Sequence, residues 1–158
     1  MTATTITDRE IWTALEEVVD PEIPVLTIAD MGILRDIEIT DGGSVVVTIT
    51  PTYSGCPAMD LIRTEILAAL GKAGVDDGEV RTVFSPAWTT DWMNDAAKSK
   101  LAEFGIAPPS DVSLPAAVLC PRCSSSTIRT VAEFGSTACK ALMVCDRCGE
   151  PFDHFKEI

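Results

Sequence analysis

Two matched cysteine pairs, Cys120-Pro-Arg-Cys123 and Cys145-Asp-Arg-Cys148-Gly149, occupy the last 39 residues of this 158-residue chain. A CxxC turn aims two thiolates at one point, and two such turns complete the tetrahedral sulfur cage that zinc, or less often iron, prefers. The 21 residues between the pairs suffice for a hairpin that returns both turns to one end. Residues 120–158 are therefore expected to form a zinc-ribbon-like β domain on one structural Zn2+, held by Cys120, Cys123, Cys145 and Cys148. So short a segment buries too little apolar surface to fold alone. Structural zinc contributes about 10–16 kcal/mol of apparent binding free energy in small fingers, the scale needed to offset chain ordering.

Six cysteines could signal a secreted disulfide framework, but Met1-Thr2-Ala3-Thr4-Thr5-Ile6 has neither the basic start nor the apolar core of a signal peptide. No apolar run approaches membrane-spanning length. The expected location is a reducing cytoplasm, where CxxC pairs mean metal or redox chemistry. Charge is divided unevenly: residues 1–119 carry 19 acidic and 7 basic side chains, net −12, whereas residues 120–158 carry 5 of each. The ribbon has no cationic excess to neutralise phosphates, so nucleic acid is not an expected partner, and neither is a membrane. The acidic bulk serves solubility and favours a basic partner surface.

Thr7 followed by Glu10 makes a capping box, and Ile11, Leu15, Val18 and Val19 recur at helical spacing, which predicts a helix over 8–19 stopped by Asp20-Pro21. Ile33 to Ile39 and Val45 to Thr50 flank Thr40-Asp41-Gly42-Gly43-Ser44 as a hairpin. A second helix fits 58–73, where Ile62, Ile66 and Leu70 repeat every fourth position before Gly74, and Val80 to Phe84 reads as a third strand. Crossing through a helix makes that strand parallel to the second, hence a mixed three-stranded sheet. A further helix over 91–104 closes at Gly105, and Pro108, Pro109, Ser110 and Pro115 mark a semi-extended linker. The expected fold class is α+β: a small α/β domain over 1–105, a linker over 106–119 and the ribbon over 120–158, with short strands at 127–133 and 139–144.

Cys56 is the second chemical candidate. It lies between the end of a strand and the start of a helix in Thr50-Pro51-Thr52-Tyr53-Ser54-Gly55-Cys56-Pro57. Unsatisfied N–H groups and the positive helix end there favour thiolate, so an accessible thiol of lowered pKa is expected; a small packed residue at a helix start is the plain alternative. Trp88 and Trp92 stand one turn apart and read as packing at a helix entrance, although they could also serve partner docking. Cys139 reads as a packed strand residue, and His154 as a surface residue on a last strand.

Together Asp20-Pro21-Glu22-Ile23-Pro24-Val25, Asp30-Met31-Gly32-Ile33 and Thr50 to Pro57 resemble the MIP18 family, also called the domain-of-unknown-function 59 family. Its α/β domains take part in iron–sulfur cluster assembly. Pro86-Ala87-Trp88-Thr89-Thr90-Asp91-Trp92-Met93, Phe134 to Leu142 and the four-cysteine tail narrow the resemblance to a subfamily of aerobic phenylacetate degradation. Where that subfamily's tail has an aromatic residue and a further cysteine, this chain has His154 and Glu157.

The resemblance implies an accessory protein that helps an oxygenase component of the phenylacetyl-CoA epoxidase system acquire iron or an iron–sulfur cluster. It places the family's reactive cysteine on Cys56 and its acidic positions on Asp20, Glu22 and Asp30. Thr52, Tyr53 and Ser54 surround Cys56 with hydroxyls that could hydrogen-bond a thiolate or a cluster sulfide, and Thr52 and Ser54 join the carrier candidates; loops also use such residues simply to satisfy backbone groups. Cys56, alone or paired across a homodimer, would hold iron or a cluster transiently. The implied partners are the oxygenase or reductase components and iron–sulfur assembly proteins. The other reading is a structural adaptor without metal transfer. Catalysis is not expected: there are no Glu-x-x-His pairs, no dinucleotide fingerprint and a single histidine.

Overall fold

The computed structural model describes residues 6–114 and 116–158; Pro115, assigned to the linker, and residues 1–5, read for a signal peptide, lie outside the described residues. The chain divides into two compact units, one ending at Trp88 and one spanning Thr89–Ile158.

In the first unit, helix α1 is Asp8–Leu15, β1 Leu34–Ile39, β2 Val45–Ile49, α2 Ala58–Lys72 and β3 Gly78–Thr82. The capping box forms as the sequence predicts: Thr7 accepts from the Glu10 N–H, and Glu10 accepts from the Thr7 N–H at 2.8 Å. The helix ends four residues earlier than its apolar spacing suggests. Val18 to Asp20 are claimed by an extended bridge, in which the Asp20 N–H donates to Leu26 O at 2.8 Å and Ile28 N–H to Val18 O at 2.9 Å. Val18 is buried although it is not helical, so its place in the apolar period does not by itself require a helix there.

The sheet order is β1-β2-β3, with β1 antiparallel and β3 parallel to β2. This is the mixed three-stranded sheet expected from the strand–helix–strand crossover. Strand β3 begins at Gly78 rather than Val80. A Cβ at Gly78 would stand 2.8 Å from Leu70 Cδ1, so glycine admits α2 close to the sheet. Ile11 and Leu15 from α1, Ile62, Ile66 and Leu70 from α2, and Val45, Val47 and Ile49 from β2 form the core.

The second unit opens with a single 3-10 turn, Thr90–Trp92, then helix α3 at Asp95–Glu103. The single helix expected over 91–104 is therefore split. Asn94 divides it, because its side chain accepts the Ala97 N–H at 2.7 Å and thereby starts α3 afresh. Strand β4, Ile106–Ala107, pairs parallel with β7, Pro151–Phe155, in a sheet of order β4-β7-β6-β5. Strands β5, Ile128–Ala132, and β6, Lys140–Cys145, form the hairpin anticipated between the cysteine pairs.

Because β4 covers its outer edge, β7 is an interior strand, and His154 is buried rather than at the surface. Its Nδ1 lies 3.1 Å from Ala107 O and its Nε2 3.4 Å from the Glu157 carboxylate. Glu157 in turn accepts from the backbone N–H and the hydroxyl of Ser110, each at 3.0 Å. The two tail positions that depart from the subfamily pattern thus join β7 to the segment after β4.

Candidate metal centre and the Cys56 loop

Each CxxC pair sits in the same backbone knuckle. In the first, the Ser124 N–H donates to Cys120 O at 2.8 Å and the Cys120 N–H to Ser125 O at 2.9 Å. In the second, Gly149 N–H donates to Cys145 O at 2.8 Å and Cys145 N–H to Glu150 O at 2.9 Å. Both knuckles turn at a left-handed residue, Ser124 (φ 60°) and Gly149 (φ 77°). Gly149 takes that conformation without strain, whereas Ser124 does so as a non-glycine.

The knuckles face each other. All four Sγ atoms lie within 4.8 Å of one another, with Cys120 3.7 Å from Cys148 and Cys123 3.6 Å from Cys145. A tetrahedron with Zn–S bonds of about 2.3 Å has S–S edges of about 3.8 Å, so the cage fits one Zn2+ with four cysteine ligands. Backbone N–H groups of Cys148 and Arg147 point at Cys145 Sγ and draw its pKa down to about 6, against some opposition from burial. The same N–H groups would orient the sulfur toward a cation. Phe152 and Ala107 pack beneath Cys120 and Cys145, and the Arg122–Glu150 ion pair at 2.7 Å ties one knuckle to the other at the surface.

At the start of α2, Cys56 is 9% exposed, although its sequence neighbours Ser54, Gly55 and Pro57 are exposed. Burial pushes its thiol pKa up; the Ala58 N–H and the Tyr53 hydroxyl oppose this, while the Glu22 and Asp20 carboxylates push it further. The lowered pKa expected from helix position alone is therefore not found. Pro57, the N-cap, has no N–H to offer, and desolvation outweighs the donors that remain. The structure does bring Asp20 and Glu22 into electrostatic range of the sulfur.

Asp20 is buried, and its Oδ1 accepts the Glu22 and Ile23 N–H groups at 2.7 and 2.9 Å, which fixes the turn that carries Glu22. Asp30 accepts the Thr27 N–H at 3.3 Å while Thr27 Oγ1 accepts the Asp30 N–H at 3.0 Å, so Asp30 organises its own loop. Thr52 is buried and Ser54 exposed. Of the three hydroxyls expected around Cys56, it is that of Tyr53 that hydrogen-bonds the thiol. Sequence reasoning misses Thr50. Its Oγ1, just after β2, is buried without a hydrogen-bond partner among the described residues, six positions before Cys56, and an orphaned hydroxyl of this kind leaves no sequence signal.

Among the other candidates, Trp88 is a packing residue: its indole N–H donates to Met31 O at 2.8 Å and the ring is 4% exposed. Cys139 is buried just before β6, 3.0 Å from Thr137 Oγ1, and stands apart from the four-thiol cage. No helix among the described residues is long and apolar enough to cross a membrane.

Comparison with known proteins places both regions. The model of the iron–sulfur cluster assembly protein family matches residues 8–83, and that of the PaaD zinc beta ribbon domain matches residues 107–156. An Escherichia coli (strain K12) protein provisionally named as one of the subunits of 1,2-phenylacetyl-CoA epoxidase is 49% identical over 152 residues, 94% of this chain and 92% of that protein. An Fe-S protein maturation auxiliary factor of Bacillus subtilis is 40% identical over 56% of this chain and 86% of its own length. A crystal structure of a domain of unknown function 59 from Bacillus anthracis superimposes with a TM-score of 0.56 at 29% identity, covering 60% of this chain and 90% of that one.

Proposed function

This chain belongs to the iron–sulfur cluster assembly protein family, and from that premise we propose that it is an accessory maturation factor for a phenylacetyl-CoA epoxidase component. In this reading it helps the component acquire iron or an iron–sulfur cluster and performs no turnover itself. The observation that carries the reading is the similarity to the E. coli protein along 94% of the chain, tail included. The chemistry of the two regions is consistent with a division of labour. Four thiolates saturate a structural zinc, so the ribbon has no open ligand position for cargo. Cys56, with Glu22 and Asp20 around it, is left as the candidate exchangeable ligand set: one soft donor and two carboxylates suit ferrous iron or a cluster edge.

The burial of Cys56 imposes a condition on this reading. The thiol must be uncovered and deprotonated for transfer, by movement of the loop that carries it or by contact with the client. The same burial favours a second reading, a structural adaptor that holds oxygenase components together without passing metal. One experiment separates them: anaerobic purification of oxygenase and reductase components from cells carrying wild-type protein, Cys56→Ser, or a deletion. Maturation predicts components deficient in iron or sulfide with Cys56→Ser despite intact contact between the proteins. Metal-replete components that fail to associate in the deletion strain, and are rescued by Cys56→Ser, would establish the adaptor instead.

A further inference from the structure

Between α1 and α2 the first unit leaves an open groove of about 550 Å3 that the Cys56 chemistry does not use. Helix α1 ends at Leu15, and Val18, Val19 and Pro21 of the segment that follows line the groove together with residues of α2. Along α2, Leu61, Glu65, Ala69 and Lys72 follow one another at helical spacing, and Ala14 and Val18 line the groove with them. The floor is apolar and wet: Leu61 is 49% and Val19 42% exposed, and the two line the same groove.

The rim is charged. Glu65 follows Leu61 by one turn of α2 and Lys72 follows it by about three, while Glu17 lines the groove from the segment after α1; none of the three forms an ion pair among the described residues. From Leu61 to Lys72 the groove runs about 16 Å at 1.5 Å per residue, the length of about three helical turns. Residues 1–88 carry 15 acidic against 5 basic side chains, net −10. A second copy of this unit or an anionic lipid surface would be repelled, while a cationic segment would be drawn in.

We propose that this groove docks a cationic amphipathic helix of a partner protein. About three turns of that helix lay Leu-like side chains at i, i+4 and i+7 over Leu61, Val19 and Ala69, and set Lys or Arg against Glu17 and Glu65. The proposal is independent of the maturation reading, because it concerns which partner segment is held and not whether metal passes.

The test is an NMR titration of the zinc-loaded full chain with two synthetic 12-residue helical peptides of identical leucine stripe, one with lysine on its polar face and one with glutamate. Docking predicts shifts centred on Val19, Leu61 and Ala69, with the lysine peptide alone. The deciding comparison is between Leu61→Glu and Leu67→Glu, which add the same charge to the same helix; Leu67 is 41% exposed but outside the groove. Docking predicts at least tenfold weaker binding for Leu61→Glu and unchanged or tighter binding for Leu67→Glu. If Leu61→Glu bound as tightly as wild type, the protein's field alone would explain the attraction and the proposal would fail. Equal binding of the glutamate peptide, shifts mapping elsewhere, or self-association abolished by Leu61→Glu would each overturn it too.

Discussion

At the scale of single residues, Cys56 shows how burial can reverse an electrostatic expectation. A thiol at a helix start gains from N–H groups and the helix dipole, yet here desolvation dominates and two carboxylates reinforce it. The alkylation rate of Cys56 is expected to rise with a midpoint above the ordinary thiol value, read in a Cys139→Ala background with zinc retained. Glu22→Gln removes a nearby negative charge and should shift that midpoint down; Tyr53→Phe removes a donor to the thiolate and should shift it up. A wild-type midpoint below the ordinary value would show that the loop is open in solution. The chemistry of this position was legible only as far as the identity of the residue. Whether Cys56 is covered depends on how residues 20–22 pack against residues 53–58, and these segments lie more than thirty positions apart in the chain.

At the scale of elements, local signals were legible where the deciding groups are neighbours in sequence and no second cap competes with them. The capping box at Thr7 and Glu10, the hairpin from β1 to β2, and the two CxxC knuckles all close within a few residues, and all appear where the pattern places them. The misses have two causes, a partner outside the local window or a second local cap competing with the first pattern. The end of α1 is decided by a bridge to Thr27, the burial of His154 by the two-residue strand β4, and the start of α3 by Asn94. Thr7→Ala should cost about 1 kcal/mol of first-unit stability by thermal denaturation, the usual worth of such a cap. The cap is also pH-dependent. Hydrogen bonds from Thr7 hold the Glu10 carboxyl below its ordinary value, so its contribution is full above the unfolded pKa and is lost as pH falls through the lowered folded one. Amide exchange of the first helical turn should accelerate in that acid window, and Glu10→Gln should abolish the acceleration. In the ribbon, X-ray absorption of zinc-loaded protein should give four Zn–S distances of about 2.3 Å. A nitrogen or oxygen scatterer in that shell would mean that His154 or water has displaced a thiolate.

At the scale of the whole molecule, the two units rely on different sources of stability. The first unit has a continuous aliphatic core from α1, α2 and β2, sealed to 0–1% exposure at Ile11, Leu15, Ile62, Ile66, Leu70, Val45, Val47 and Ile49. The cysteine knuckles of the second unit are backed by little more than Phe152, Ala107 and a few half-buried neighbours. Metal binding there is folding free energy, because the four thiolates are brought together only in the native ribbon. Removing zinc with a strong chelator at neutral pH is therefore expected to abolish the amide dispersion of residues 120–155 while resonances of the first unit persist. Cys145→Ser should reproduce this, since Cys145 is fully buried and supplies one of the four sulfurs of the cage. Metal content should fall with decreasing pH as protons compete for the sulfurs, and the first unit should again be spared. Loss of both units together on chelation would mean that the aliphatic core is not self-sufficient, and a ribbon that kept its dispersion in chelator would mean that Phe152 and β4 hold it without metal.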